Sequence, residues 1–236
     1  AKVSVGGESF AAVAAGFLRE AGLSTATTSP RDNPWQRLRH NVLVHLQLTG
    51  MALALACVAG IALSLAVYRS ERLSRIVLYF SGLLQTIPSI ALLALMIPLF
   101  GVGRLPAVVA LFLYSLLPIV RSTVTALITI DPVLRDVARA MGLSPREQVR
   151  HVLLPLALPN LLTGVKTAAI ISIGTATLAA FIGAGGLGEP IVTGLALNDV
   201  GLILHGAIPA ALLAIVTEFA FELLERRLLP AHMVAR

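Results

Sequence analysis

Charge is what this chain lacks most. Of its 236 residues, 13% are Asp, Glu, Lys or Arg and 57% are hydrophobic, against about 25% charged in soluble domains. With a mean hydropathy of +0.88, that shortage excludes an ordinary soluble enzyme and points to a multi-span membrane protein. Cysteine is nearly absent: Cys57 stands alone, which excludes an internal disulfide and, inside an apolar run, suits a small packing residue. Aromatic residues make up 5%, with one Trp and three Tyr. The net charge of +6 therefore does not indicate nucleic acid, because the basic residues flank apolar runs and no stacking residues accompany them. A secretory signal is also missing: no basic start leads into an apolar core and a small-residue cleavage site.

What the chain has is apolar length. About 20 apolar residues cross a bilayer, so five spans are predicted. They cover Asn41–Tyr68 (with a charge-free centre, Leu48–Val67), Ile76–Phe100, Leu105–Ile130, Leu161–Ile182 and Val200–Leu224. Arg121 lies in the third, Lys166 in the fourth, His205 and Glu218 in the fifth. The 1–2 connection holds Arg69, Arg72 and Arg75, the 3–4 connection Arg135, Arg139, Arg146 and Arg150, and the C-terminal end Arg226, Arg227 and Arg236. The 2–3 turn has only Arg104 and the 4–5 turn none. The bias of Lys and Arg toward the cytoplasm puts the 3–4 loop and C-terminus inside and the N-terminus outside, with Arg31, Arg37 and Arg39 as the exception.

Four regions follow: residues 1–34, an extracytoplasmic N-terminal segment; 35–230, the membrane domain; a cytoplasmic loop at about 131–155 within it; and 231–236, a cytoplasmic tail. The first segment reads as a strand at Lys2–Val5, a helix from Ser9 to Ala21 closed by Gly22, and a polar tether.

The 131–155 loop is the stretch built to meet something in water. Asp131-Pro132 suits an N-cap and first turn, and Gly142 ends that helix. Ser144-Pro145 opens a second, with Glu147 placed for a capping box. Pro155 and Pro159 mark the return to the membrane. On spacing alone, two readings stay open: a docking site for a soluble partner, and an amphipathic hairpin lying on anionic lipid.

The loop resembles the signature of permease subunits of binding-protein-dependent ABC importers: Glu-Ala-Ala, three residues, Gly, nine residues, Ile-x-Leu-Pro. Here Asp136-Val137-Ala138, Gly142 and Val152-Leu153-Leu154-Pro155 keep the spacing, with Asp for Glu, Val for the first Ala and Val for Ile. Gln85–Ser89, Leu154–Asn160 and Ile182–Gly188 further resemble osmoprotectant permeases, which serve importers of glycine betaine, carnitine and choline. The resemblance covers about residues 40–229.

It implies an all-α integral membrane protein with a five-span, MetI-like type I importer permease core in the cell membrane. The loop would couple to a cytoplasmic ATPase dimer through Asp136, Val137, Ala138, Ala140, Met141, Gly142, Leu143, Val152, Leu154 and Pro155. Asp136 would pair with a basic residue of the ATPase, Ala138 and Ala140 would admit its close approach, and Gly142 would set the bend. Further implied partners are a second permease copy or a sister permease, the bilayer, and an extracytoplasmic binding protein. ATP and Mg would belong to the ATPase, with no cofactor and no catalysis in this chain. Residues 2–23 also look like the last strand and helix of such a binding protein, so a fused binding domain is one reading and an unrelated surface helix the other. Permeases for methionine or another amino acid, and a secondary carrier, are the alternatives.

Gly183, Gly185, Gly186 and Gly188 satisfy G-x-G-x-x-G, but they follow a span rather than a strand, which excludes a dinucleotide site. They are expected to shape an extracytoplasmic turn or re-entrant segment that meets the binding protein, a plain flexible turn being the alternative. Arg121, Lys166 and Glu218 fall near predicted inner ends, where snorkelling explains them. His40 and His45, five apart, do not share a helix face, and no metal site is indicated. Ser172 with His205 is the weakest alternative, a serine hydrolase without a nucleophile motif. The scattered aromatics form no cage for a quaternary ammonium group.

Overall fold

Apolar runs in lipid must satisfy their own backbone N–H and C=O groups, so they fold as helices. The computed structural model describes residues 33–229 together with Phe17, and every regular element among residues 33–229 is helical. Apart from Phe17, which is helical, the expected strand and helix of residues 2–22 and the tail 231–236 lie outside the described residues. The chain divides into two compact units, Ala1–Arg37 and Leu38–Arg236.

Five stretches carry the membrane domain. Helix α1 spans Pro34–Val67. Helices α2 (Glu71–Thr86) and α3 (Ser89–Phe100) follow, then α4 (Arg104–Thr129). The loop contains α5 (Pro132–Ala140) and the short α6 (Pro145–Gln148). A π-helical turn, Val149–Leu153, then leads into α7 (Leu154–Ala176), which tightens to 3₁₀ over Thr177–Ile182. Helices α8 (Gly188–Leu197) and α9 (Val200–Leu228) complete the described chain. Among the described residues four helical runs are long and apolar enough to cross a membrane: α1, α4, Pro145–Ile182 and α9. The pair α2–α3 makes a fifth crossing if taken together.

Two expected boundaries change. The second span is not one helix over Ile76–Phe100: α2 and α3 meet at 97°. Pro88 has no N–H and forces Ile87 into an extended conformation (ψ 124°). The backbone carbonyl freed at Ile87 accepts a hydrogen bond from the Tyr114 hydroxyl, and Gln85 Nε2 donates to Tyr114 O at 3.3 Å. A neighbouring helix thus repairs the break, which is what lets it persist in a membrane. The fourth crossing is helical from Pro145, well before Leu161. Pro155 cannot donate to the carbonyl one turn back, and the turn before it widens, with Leu154 N–H reaching Val149 O.

Helix α4 is the hub. Leu111, Ile119, Val120, Val124 and Leu127 on it are fully buried. It packs along α7 through small residues, as membrane helices do without a hydrophobic drive between them. A Cβ at Gly164 would stand 2.6 Å from Ser122 Cβ and 2.9 Å from Pro118 O, so only glycine admits that approach.

Candidate functional site

Helix α4 has 26 residues, about 39 Å at 1.5 Å per residue, and the two candidate regions lie at its opposite ends.

The loop beyond its C-terminal end is built from local bonds. Asp131 accepts from Val133 N–H at 2.9 Å and Pro132 takes the first turn. At the other end of α5, Gly142 sits at φ +77°. Gly142 N–H bonds Arg139 O at 2.9 Å and Leu143 N–H bonds Ala138 O at 3.1 Å, the paired closure of a Schellman motif. Ser144 then opens α6. Its N–H and hydroxyl donate to Glu147 Oε2 at 2.8 and 2.5 Å, and Glu147 N–H returns to Ser144 Oγ at 3.4 Å. These bonds to its charged form, first the Ser144 hydroxyl and then the backbone, hold the Glu147 carboxyl below its ordinary value. Arg135 turns back to donate to Leu127 O, covering a carbonyl at the end of α4, which has no basic residue of its own there. Arg135 is therefore part of the scaffold.

The geometry revises which residues face outward. Val133, Leu134, Val137 and Met141 are exposed, Met141 at 72%, and make an apolar stripe on α5 edged by Asp136 and Arg139. Those two form an exposed pair at 3.3 Å, which contributes little and leaves both available. Ala138, expected to admit a partner, is 3% exposed and turned inward; Ala140 is exposed. Val152 and Leu154 are half-buried and Pro155 is exposed, while Leu153 anchors the return beside Tyr68, Leu127, Ile130 and Ala157. Sequence reasoning missed Val133 and Leu134; the i, i+4 spacing of Val133 to Val137 and the i, i+3 and i, i+7 spacings of Leu134 to Val137 and Met141 were the available signal.

At the other end, the 3₁₀ turn closes on Gly183 at φ +76°, and Gly185 and Gly186 follow at +80° and +85°. Gly103 N–H bonds Ile182 O at 2.7 Å, tying the turn before α4 to this elbow. Gly183 is exposed and Gly185 half-buried, but Gly186 and Gly188 are buried. The expectation that all four glycines meet a partner is corrected accordingly. A Cβ at Gly188 would lie 1.8 Å from Thr177 O, and one at Gly186 3.2 Å from His45 Nδ1. Those two glycines let backbone and ring pack closely. Exposed here are Val102 at 73% and Phe181 at 50%.

His45, set aside in the sequence, is fully buried and bonds both Ile173 and Leu187. Lys166 and Glu218 do not simply snorkel: Lys166 Nζ lies 3.2 Å from Glu218 Oε1 and 3.8 Å from Glu225 Oε1, joining α7 to α9. Charges paired between two helices of membrane-crossing length, not expected from the sequence, are thus present. Arg121 lines an open groove of about 720 Å³ with Arg75, Tyr79, Phe80, Leu117 and Thr125. The Ser172 hydroxyl is buried without a hydrogen-bond partner, and His205 is exposed, so they form no nucleophile–base pair. Among the described residues no cluster of three His, Cys, Asp or Glu side chains could hold a metal ion.

This architecture has known counterparts. A chain of the MetNI methionine ABC transporter in an inward-facing crystal form superposes with a TM-score of 0.74 at 26% identity, covering 82% of this chain and 97% of that one. The choline transport system permease protein OpuBB of Bacillus subtilis is 41% identical over 196 residues, 83% of this chain and 90% of the relative. The osmoprotectant import permease protein OsmW of Salmonella typhimurium is 44% identical over 191 residues, 79% and 89% respectively. The family model described as binding-protein-dependent transport system inner membrane component matches residues 52–230. Helices of membrane-crossing length, a capped loop at one end and a glycine elbow at the other are thus those of a permease, and this chain belongs to the binding-protein-dependent transport system inner membrane component family.

Proposed function

We propose that this chain forms one half of an ATP-driven import pathway for a compatible solute such as glycine betaine, carnitine or choline. The observation that carries the coupling is the α5 stripe, in which Val133, Val137 and Met141 are exposed on a helix capped at both ends. A rigid amphipathic helix at the end of a hub helix suits transmission of a partner's rigid-body motion into the bundle. The substrate class follows from the relatives at 41–44% identity, whose names specify choline and osmoprotectants.

In this reading the loop and the C-terminus are cytoplasmic, as the arginines at 69, 72, 75, 135, 139, 146, 150, 226 and 227 favour. An ATPase dimer, carrying ATP and Mg, seats on α5 and α6 and does all the hydrolysis. A second copy or a sister permease completes the pathway, and a binding protein, free or fused ahead of residue 34, delivers solute to the glycine end.

The test is reconstitution of the permease with its ATPase and binding protein in proteoliposomes. ATP-dependent uptake of labelled glycine betaine or choline, reduced by each other and not by methionine, is expected. Methionine uptake without betaine or choline uptake would replace the substrate reading with that of the 26%-identical structural counterpart. Uptake that needs no ATPase would overturn the importer reading as a whole.

A further inference from the structure

The least expected side chain in the bundle is His45. It is fully buried, where an unpartnered polar group would be costly. Its two nitrogens meet two backbone groups that the fold has orphaned. Where α7 tightens to 3₁₀, Thr177 N–H bonds Gly174 O instead of Ile173 O. The Ile173 carbonyl so released lies 3.0 Å from His45 Nε2. Leu187 precedes α8, at a helix start whose N–H groups have no intrahelical acceptor, and its N–H reaches His45 Nδ1 at 3.4 Å.

A carbonyl only accepts and an N–H only donates. The ring must therefore be neutral, with its proton on Nε2 and a lone pair on Nδ1. The two bonds span 128 and 142 residues of sequence and join α1, the end of α7 and the glycine elbow through one ring. Gly186 lets the ring come so near, since a Cβ there would stand 3.2 Å from Nδ1 and 3.5 Å from His45 Cα.

We propose that His45 is a positioning residue: its bridge fixes the glycine elbow to the first span and so holds in place the outer surface, with Gly183, Phe181 and Val102, that receives the binding protein. Among the described residues no other side chain accepts from Leu187 N–H, and the three positive-φ glycines at 183, 185 and 186 give the elbow little stiffness of its own. This rests on the reading that the glycine end meets the binding protein.

Two substitutions divide the ring. In His45→Asn the side-chain oxygen sits where Nδ1 does and can still accept from Leu187. In His45→Gln the amide nitrogen sits where Nε2 does and can still donate to Ile173. Both are assembled with the ATPase in lipid nanodiscs. Two readouts are taken: hydrogen exchange of the amides at 185–189, and ATPase activity titrated with binding protein loaded with glycine betaine. His45→Asn should keep the wild-type exchange and titration. His45→Gln should speed exchange and raise the half-saturating binding-protein concentration about tenfold, as for one lost acceptor, the loss falling on that concentration rather than on the maximal rate.

Recovery of the Asn variant alone from the membrane is the same split in a stronger form. Equal behaviour of the two variants, including equal failure to assemble, would make the ring a packing element and overturn the proposal. Faster exchange in the Gln variant with an unshifted titration would overturn the positioning role. If the wild-type complex ignores the binding protein, the docking reading has failed instead, and the exchange split alone decides whether the bridge holds the elbow.

Discussion

The two ends of α4 are built by opposite strategies. At the loop end the bonds that shape the chain are short in sequence: Asp131 to Val133, Gly142 to Arg139, Leu143 to Ala138, Ser144 to Glu147 and, at eight residues, Arg135 to Leu127. At the glycine end the shaping contacts come from far away in sequence: His45 to Ile173 and Leu187, Gly103 to Ile182, and Gly206 against Leu187 O. A locally specified helix can keep its shape while the bundle around it moves, which suits a part pushed by a motor. A surface held by tertiary contacts changes when the bundle changes, which suits a part that reports the state of the pathway.

The sharpest way to break this contrast is to add one methyl group at each end. Gly188→Ala places a carbon 1.8 Å from Thr177 O, against backbone that cannot step aside. Overpacking of this kind costs about 3 kcal/mol or more, and the variant should fail to accumulate in the membrane fraction or lose its thermal transition in detergent. Gly142→Ala meets nothing within 4 Å and should accumulate normally. Equal accumulation of the two would mean that the glycine end is not held by the bundle.

Next in size is the ionic link between α7 and α9. Lys166→Met removes the cation and leaves Glu218 and Glu225 facing each other's charge. Breaking a buried pair costs about 3–5 kcal/mol; because the Glu218 side chain stays 40% exposed, the lower end applies. The midpoint of thermal unfolding should fall, and adding Glu218→Gln with Glu225→Gln should recover much of the loss. If the single change leaves the midpoint where it was, solvent already screens the pair.

These differences set what the sequence could reveal. Asp131-Pro132, Gly142 and Ser144-x-x-Glu147 were legible because capping chemistry acts over two to five residues, and four of the five crossings were legible as apolar length. The break at Ile87-Pro88 was only half legible: a proline marks a kink, but the 97° turn needs the Tyr114 hydroxyl on another helix to satisfy the freed carbonyl. His45 was illegible, because one histidine on an apolar helix has the same local pattern whether or not two orphaned backbone groups await it. The pairing of Lys166 with Glu218 hid for the same reason. Ala138 shows the converse: the motif gives it a place in the sequence, yet which way it faces depends on how α5 lies on the bundle.

Within the loop, Gly142→Val asks whether a locally built end can fail locally. Its Cβ has open space, so the cost is that of a β-branched residue at φ +77°, about 1–3 kcal/mol. The chain should reach the membrane with α7 and α9 intact and lose binding-protein-stimulated ATPase and uptake together. Normal uptake would sink the coupling role of the loop, whereas failure to reach the membrane would show that the loop is not independent of the bundle.

The smallest effect belongs to the capping box, and it carries a sign. Glu147 is held below its ordinary value, first by the Ser144 hydroxyl and then by the Ser144 N–H. A carboxyl lowered in the folded state contributes stability that is fully present above its unfolded value and disappears as pH falls through the folded one. The loop should therefore be flat in stability from neutral pH upward and open only on acidification below the ordinary carboxylate range. Ser144→Ala removes the side-chain cap, worth about 1 kcal/mol, along with the leading cause of the shift, and should move that opening toward higher pH. Hydrogen exchange at residues 143–149 as a function of pH reads both. Because all of this happens within four residues, the amides at 185–189 should show no response to the Ser144 change; a matched response there would mean that the two ends are not built independently, and the contrast between them would have to be given up.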